Sequence, residues 1–406
     1  MRAVALASPY RWVILSLTVV AFMQTHMHRL AFAPLIPTFV SDLGLSYAAA
    51  GTVQTAYFWT YASMQLPIGL ATDRWGPRRV MLTCLVALAV GALAFAASRT
   101  YLTAFVARML VGLGAAAVWV PGMRLVSEWF PAEERGRATG VMSSGGGIGG
   151  TLGLIVVPWL ATFWGWRVAY GAMVVPAVLT FVLIALLMRS GGTPSRGQPP
   201  PGTLRRVLAR RELWTFNMNV VCSYGAYFSF ITFLPSYLVR ALGYGDAQAG
   251  IITAAVTAGT IVSWPLAGLI SDRLGRRKPL VLLGQFASVL VPLAFAWVVP
   301  WFEAAGAMVI AFSSGLLVGG LILPFVMIVE MFPREEAATA VAVANSASFV
   351  GGLFLPIVLG RIVDVTGSFS NAFAVAAATE VVALAFALVI PETGPAVRGE
   401  RPSWTS

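Results

Sequence analysis

Gly69-Leu70-Ala71-Thr72-Asp73-Arg74-Trp75-Gly76-Pro77-Arg78-Arg79 joins two long apolar runs. It returns 199 residues later as Gly268-Leu269-Ile270-Ser271-Asp272-Arg273-Leu274-Gly275-Arg276-Arg277-Lys278. Both copies read G-x-x-x-D-R-x-G-x-[RK]-[RK]. A short polar loop leaving a membrane helix needs glycine where helices approach closely or the chain turns. It needs basic residues to hold it at the cytoplasmic face. The aspartate can pair with those bases or with a neighbouring helix N-terminus. A single copy would read equally well as a generic basic loop; two copies at corresponding places argue for a duplicated architecture.

The flanking composition says what the loop is embedded in. Of 406 residues, 58% are hydrophobic and only 11% charged, with a mean hydropathy of +0.81. A soluble chain carries about 25% charged residues, so this is an all-α, polytopic membrane protein. Its net charge of +11 would suggest nucleic acid, but the bases cluster in alternate short loops, as orientation in a membrane requires. No nucleic-acid partner is expected. Cys84 and Cys222 both lie in apolar runs and read as small core residues, with no disulfide framework. No metal cluster, nucleophile motif or ATP-binding loop is evident, so neither a cofactor nor an enzyme is expected. The first apolar run is full-length and reads as a helix that stays rather than a cleaved leader.

A spanning helix needs about 20 mainly apolar residues. Twelve runs qualify: 12–35, 48–72, 79–98, 101–126, 138–161, 167–188, 214–239, 247–271, 279–299, 303–328, 338–361 and 369–390. With the N-terminus inside, twenty of the 27 Lys and Arg fall in inner segments and four (Arg99, Arg167, Arg240, Arg361) in outer loops. Both termini are therefore expected in the cytoplasm. The interruption at 189–212 carries six arginines, Gly191-Gly192 and Pro199-Pro200-Pro201. It reads as a linker, with a short interfacial helix near Leu204–Arg211. The expected organisation is a bundle at 1–188, this linker, a second bundle at 213–392 and a tail at 393–406.

The halves repeat beyond the loop. Glu128-Trp129-Phe130-Pro131 returns as Glu330-Met331-Phe332-Pro333, and Gly149-Gly150 as Gly351-Gly352, both offset by 202. Three matches at nearly one offset argue for duplication. Parallel six-helix repeats with a site near the midplane are a transporter pattern.

On these residues the chain resembles the major facilitator superfamily, whose signature lies between helices 2 and 3, with a degenerate echo between helices 8 and 9. The resemblance implies twelve transmembrane helices in two pseudo-symmetric six-helix bundles, moving a solute by alternating access. It marks Gly69, Asp73, Arg74, Gly76, Arg78, Asp272 and Arg273 as loop-signature residues. Arg108 in Arg108-Met109-Leu110-Val111-Gly112-Leu113-Gly114 is similar to the R-x-x-x-G-x-G signature of helix 4. By resemblance, Asp73, Arg78, Glu128 and Arg137 form a latch that closes the inner side, with Asp272 and Glu330 as second-half counterparts; the alternative is solvated loop charge.

Ionisable residues at membrane depth are expensive and usually face a cavity or a partner. Arg29, in His26-Met27-His28-Arg29, can receive a carboxylate or phosphate in bidentate fashion, or pair with another helix. At 100° per residue, His26 and His28 point about 60° and 100° from Arg29, so they cannot face one cavity equally. Either histidine is a candidate proton carrier, or a packed, hydrogen-bonded side chain. The organic-anion and anion:cation symporter branches commonly end helix 1 with Asp-Arg; this chain has His28-Arg29, so Arg29 carries over as an anion ligand and the acid does not. The stretch Pro121 to Gly136 also looks like the organic-anion branch. Arg124, four residues before Glu128, reads either as the inner rung of an anion path or as a salt bridge.

Gln54, Tyr57, Tyr61 and Gln65 lie within about 60° of one another on one helix. Tyrosines supply a wall and a hydrogen bond to an oxyanion. Tyr224 and Asn345 are the second-half candidates. The glycine-rich stretch Gly145-Gly146-Gly147-Ile148-Gly149-Gly150 lacks the Lys-Ser/Thr of a phosphate loop and reads as close helix packing.

The expectation is a monomeric transporter of a small organic anion, a carboxylate, in a bacterial inner membrane, with proton symport as a hypothesis. The cyanate-permease-like branch is among those it resembles. The competing reading, proton-antiport efflux, needs a buried acid for cationic drugs, and the first run has none before Asp42. A membrane enzyme or sensor is the reading from another class.

Overall fold

The computed structural model describes residues 9–131, 134–189, 202–394 and 397. Residues 190–201 of the expected linker, and most of the tail beyond 394, lie outside the described residues. Sixteen α-helices occupy the described chain, with no strand among them. They are α1 (Tyr10–Leu30), α2 (Ile36–Leu43), α3 (Tyr47–Trp75), α4 (Pro77–Ala96), α5 (Tyr101–Ala116), α6 (Trp119–Trp129), α7 (Arg135–Gly171), α8 (Val174–Leu187), α9 (Thr203–Ala209), α10 (Arg211–Arg240), α11 (Asp246–Leu274), α12 (Lys278–Trp297), α13 (Ala304–Leu317), α14 (Leu323–Met331), α15 (Arg334–Thr366) and α16 (Phe369–Val389).

Every expected apolar run is helical, but not every run is one helix. The run 101–126 breaks between Ala116 and Trp119 into α5 and α6. The run 303–328 is α13, a 3-10 segment Val318–Ile322 and α14. The runs 138–161 and 167–188 do not part between 161 and 167. Their helix continues to Gly171 through a kink at Gly165, whose φ is 75°.

Among the described residues, eight spans are long and apolar enough to cross a membrane by length and composition, α5–α6 and α13–α14 each counting as one, short of the twelve expected. Among those outside the eight, α1 carries Gln24, His26, His28 and Arg29, which lower its hydropathy, and α8 has only 14 residues. Helix starts are capped as the sequence allows: Ser46 accepts from Ala49 N, and Thr100 and Thr103 form a reciprocal capping box.

Contacts divide the chain into two units, Met1–Arg196 with Leu238–Ala254, and Gly197–Tyr237 with Ala255–Ser406. The C-terminal end of α10 and the N-terminal end of α11 thus group with the first unit. Unit 1 is centred on Phe32, Phe39, Phe95, Trp166 and Tyr170, with Phe39 and Phe95 stacked and the other ring pairs edge to face or tilted, at 4.6–5.7 Å. Unit 2 packs Phe216, Val281, Leu323, Met327 and Phe332 together, with Val207 of the short α9 against them. That helix stands where the interfacial helix was expected.

The repeated loop owes its turn to its second glycine. Gly76 and Gly275 have φ of 82° and 66°, a region costly for any residue with a Cβ. The leading glycines are not tightly packed: a Cβ on Gly69 would meet Val120 only at 3.9 Å, and one on Gly268 nothing within 4 Å. The paired glycines behave differently. A Cβ on Gly149 would lie 2.1 Å from Met23 O, and one on Gly351 1.9 Å from Val221 O. Gly145 and Gly153 face Val19 and Met27 in the same way, so the glycine-rich stretch seats α7 directly on α1.

Candidate functional site

Three residues of helical rise bring His26 and Arg29 to one side of α1. Arg29 Nη1 lies 3.2 Å from His26 Nε2. A guanidinium can only donate, so Nε2 accepts and the ring proton sits on Nδ1. That nitrogen is 3.3 Å from the Phe22 carbonyl and 3.1 Å from Thr25 Oγ1. The Arg29 guanidinium is 5.1 Å from the Tyr61 ring, 5.7 Å from Tyr57 and 5.9 Å from Phe58, and the residue is 6% exposed. Tyr57 and Tyr61 stack at 5.8 Å with 12° between their planes. The Tyr57 hydroxyl donates to Thr25 O at 3.1 Å. A buried cation over two stacked phenol rings is an arrangement suited to an oxyanion.

His28 points elsewhere, as the helical angle required. It is fully buried with its ring edge-on to Tyr170, 5.8 Å away. Arg108 lies on that side, also fully buried. It donates to His28 O at 2.9 Å, Tyr170 Oη at 2.8 Å and Gln54 Oε1 at 2.9 Å. Gln54 Nε2 donates in turn to Arg29 O at 3.2 Å. Arg108 therefore ties α1, α3 and α7 to α5 through neutral acceptors. The glycines after it sit where helices approach closely. A Cβ on Gly112 would lie 2.3 Å from Tyr57 O, and one on Gly114 2.4 Å from Leu88 N.

Arg124 stands apart from Arg29's group. It donates to Glu128 at 2.9 Å, Asp73 at 2.7 Å and Thr72 O at 2.8 Å. Of its two possible roles, this geometry supports the salt bridge. Arg78 donates to Ala185 O instead of joining the latch residues, and Arg137 is exposed. In unit 2 the corresponding acids Asp272 and Glu330 are gathered by Arg277, a residue the sequence reading passed over.

Tyr224 is half-buried between the rings of Phe228 and Phe325, at 6.0 and 5.8 Å. Asn345 is half-buried too, and its carbonyl accepts from Ser348 Oγ at 2.6 Å. Gln65 turns back to its own helix, donating to Tyr61 O. Sequence reasoning missed Tyr170 and, in unit 2, Gln285 and Asn219, which share a hydrogen bond at 3.0 Å. A glutamine inside an apolar run was a usable signal; a tyrosine in an aromatic-rich run was not.

A profile of the Major Facilitator Superfamily matches residues 14–245 and again 216–405. Among similar proteins, the Cupriavidus necator protein named "Probable sulfoacetate transporter SauU" is 25% identical over 302 residues, covering 70% of each chain. The Bacillus subtilis protein named "Probable galactarate/D-glucarate transporter GudP" is 24% identical over 393 residues, covering 88% of this chain and 86% of that one. A Mycobacterium tuberculosis protein named "Probable nitrate/nitrite transporter NarK2" is 25% identical over 301 residues, covering 71% and 74%. In fold, the chain matches a bacterial homologue of the human lysosomal transporter Spinster, crystallised inward-facing and occupied. The TM-score is 0.76 at 18% identity, over 95% of this chain and 97% of that one. These relatives are named as transporters, not enzymes, and the repeated loop, the paired glycines and the two profile matches agree: this chain is a multi-pass membrane protein that belongs to the major facilitator superfamily.

Proposed function

We propose that the chain carries a small organic anion, a carboxylate, across a bacterial inner membrane by alternating access with proton symport. The observation that carries this reading is the Arg29 guanidinium, held by His26 over the stacked rings of Tyr57 and Tyr61. The named substrates of its relatives, sulfoacetate, galactarate, glucarate and nitrate, share a negative charge. An incoming carboxylate would take two N–H donors of Arg29.

Coupling follows from the same contact. Protonating His26 at Nε2 removes the acceptor that Arg29 now uses and places a second cation beside it. An anion offsets both charges, so proton and anion load together. His28, buried against Tyr170, is the other candidate carrier. Twelve spans, cytoplasmic termini and a monomeric transporter complete the proposal; Tyr224 and Asn345 are the candidate contributions of unit 2.

Thermal unfolding of the purified protein tests it, with Arg29→Gln beside wild type and D-glucarate and sulfoacetate as probes. A ligand at a hundredfold excess over its Kd adds about 2.7 kcal/mol to the folded state. Wild type should be stabilised by at least one of these anions, and Arg29→Gln by neither. Stabilisation of both proteins by hydrophobic cations, with none by the anions, would overturn the anion reading.

A further inference from the structure

Among the described residues, a further buried acid lies in unit 2. Glu380 of α16 is 3% exposed. Its Oε2 accepts from Gln285 Nε2 of α12. Gln285 is oriented from its other end: its Oε1 accepts from Asn219 Nδ2 at 3.0 Å and Ser223 Oγ at 2.9 Å. An Asn amide nitrogen can only donate, so the Gln285 oxygen must face it and the Gln285 nitrogen must face Glu380. Asn219 donates a second time, to Ala383 O at 2.9 Å. A directed chain of hydrogen bonds thus runs from α10 through α12 and ends on the carboxyl.

No cation closes that chain. Among the described residues, Arg206, Arg210 and Arg277 pair with Glu336, Asp272 and Glu330 rather than with Glu380. The titratable groups nearby are Cys222 and Tyr227 of α10, neither a cation. From α12 the neighbours are Gln285 and Ser288. Helix α15, which also packs on α16, carries its charged residues only at its two ends: Arg334, Glu335, Glu336, Arg361 and Asp364. Beside Glu380, a cavity of about 20 Å³ is lined by Tyr227, Phe230, Ser288, Pro292 and Leu321. That is room for about one water.

A carboxylate buried among neutral donors is an expensive species. A proton on the other oxygen removes the charge without disturbing the Gln285 contact, since Oε2 can accept in either form. We propose that Glu380 is a proton-binding site of unit 2, loaded and unloaded through the cavity beside it. In loading, the carboxylate takes a proton from hydronium and leaves a water; release reverses this.

Infrared difference spectra of the purified full-length protein, recorded between acidic and alkaline buffer, test it. Wild type should show a titrating carboxylic-acid C=O band that Glu380→Gln lacks. Glu380→Asp keeps a carboxyl in the site and should shift the band, which covers the case where Glu380→Gln fails to fold. A band unchanged in Glu380→Gln, or unshifted in Glu380→Asp, belongs to another acid and overturns the proposal. No substrate is needed, so failure here leaves the anion reading standing, and failure of the anion probes leaves this one standing.

Discussion

Asp73 at the end of α3 and Asp272 at the end of α11 occupy equivalent places in the repeated loop, yet arginines from different places hold them. Asp73 and Glu128 are joined by Arg124, which reaches back from α6. Asp272 and Glu330 are joined by Arg277, which comes from the loop itself and also donates to Ser271 Oγ at 2.6 Å. The counterpart of Arg277 in the first loop, Arg78, is occupied with the Ala185 carbonyl at 2.5 Å. The counterpart of Arg124 in the second half, offset by 202, is the apolar Val326. The duplication kept both pairs of acids and moved the base. One exposed aspartate and one buried glutamate need one guanidinium between them, and any backbone address that delivers it satisfies the electrostatics.

The comparison can be broken most directly at its bases. Arg124→Gln leaves Glu128, whose side chain is 2% exposed, without its cation. Losing one partner of a buried pair costs about 3–5 kcal/mol, so a large drop in thermal stability is expected. The double variant Arg124→Gln/Glu128→Gln should recover most of that loss, because the uncompensated charge goes with it. Arg277→Gln should cost less, since the Glu330 side chain is 15% exposed. Equal losses in the two single variants would mean that the clasps are energetically alike despite their different construction.

The aspartates sharpen the comparison at smaller scale. The Asp73 and Asp272 side chains are 79% and 60% exposed, and exposed pairs contribute about 0–1 kcal/mol after screening. Asp73→Asn and Asp272→Asn should each shift stability by less than about 1 kcal/mol, and the shift should shrink in high salt. Cation-specific losses of several kcal/mol in these variants would show that the aspartates, not the glutamates, anchor the arginines.

The smallest effect is expected at the far end of unit 1, where Arg167 donates to Asp42 and Trp166 Nε1 adds a bond at 3.2 Å. The Arg167 guanidinium holds the Asp42 carboxyl below its usual range. A depressed carboxyl contributes stability above its unfolded value and loses it as pH falls through its folded value. The small stability difference between wild type and Asp42→Asn should therefore be present at neutral pH and vanish in acid. A difference that grew on acidification would contradict the contact.

The two polar networks differ in how readable they were. The Arg124–Glu128 pair and the approach of His26 to Arg29 follow from spacings of four and three on single helices. Arg108 is legible from its R-x-x-x-G-x-G stretch, but its partners Tyr170 and Gln54 lie 62 and 54 residues away. The sequence shows Glu380 as an acid in an apolar run, but not its link to Gln285, 95 residues earlier. The break between Ala116 and Trp119, and the 3-10 turn at Val318–Ile322, hid inside uninterrupted hydrophobic stretches. Hydropathy averages over such a break and does not see it.

By itself the sequence determined the membrane class, the duplication, the helical runs and which side chains share a face of one helix. These depend on local chemistry: apolar length, loop charge and a rotation of 100° per residue. Only the tertiary structure decided which faces meet. It set His28 against Tyr170 and Arg29 over Tyr57 and Tyr61, and it chose Arg124 in one unit and Arg277 in the other. The physical reason is that how each helix is rotated about its axis and slid along it is set by many weak contacts summed over its length. One such contact is the seat of Gly149 on Met23, and no single residue spacing encodes that sum.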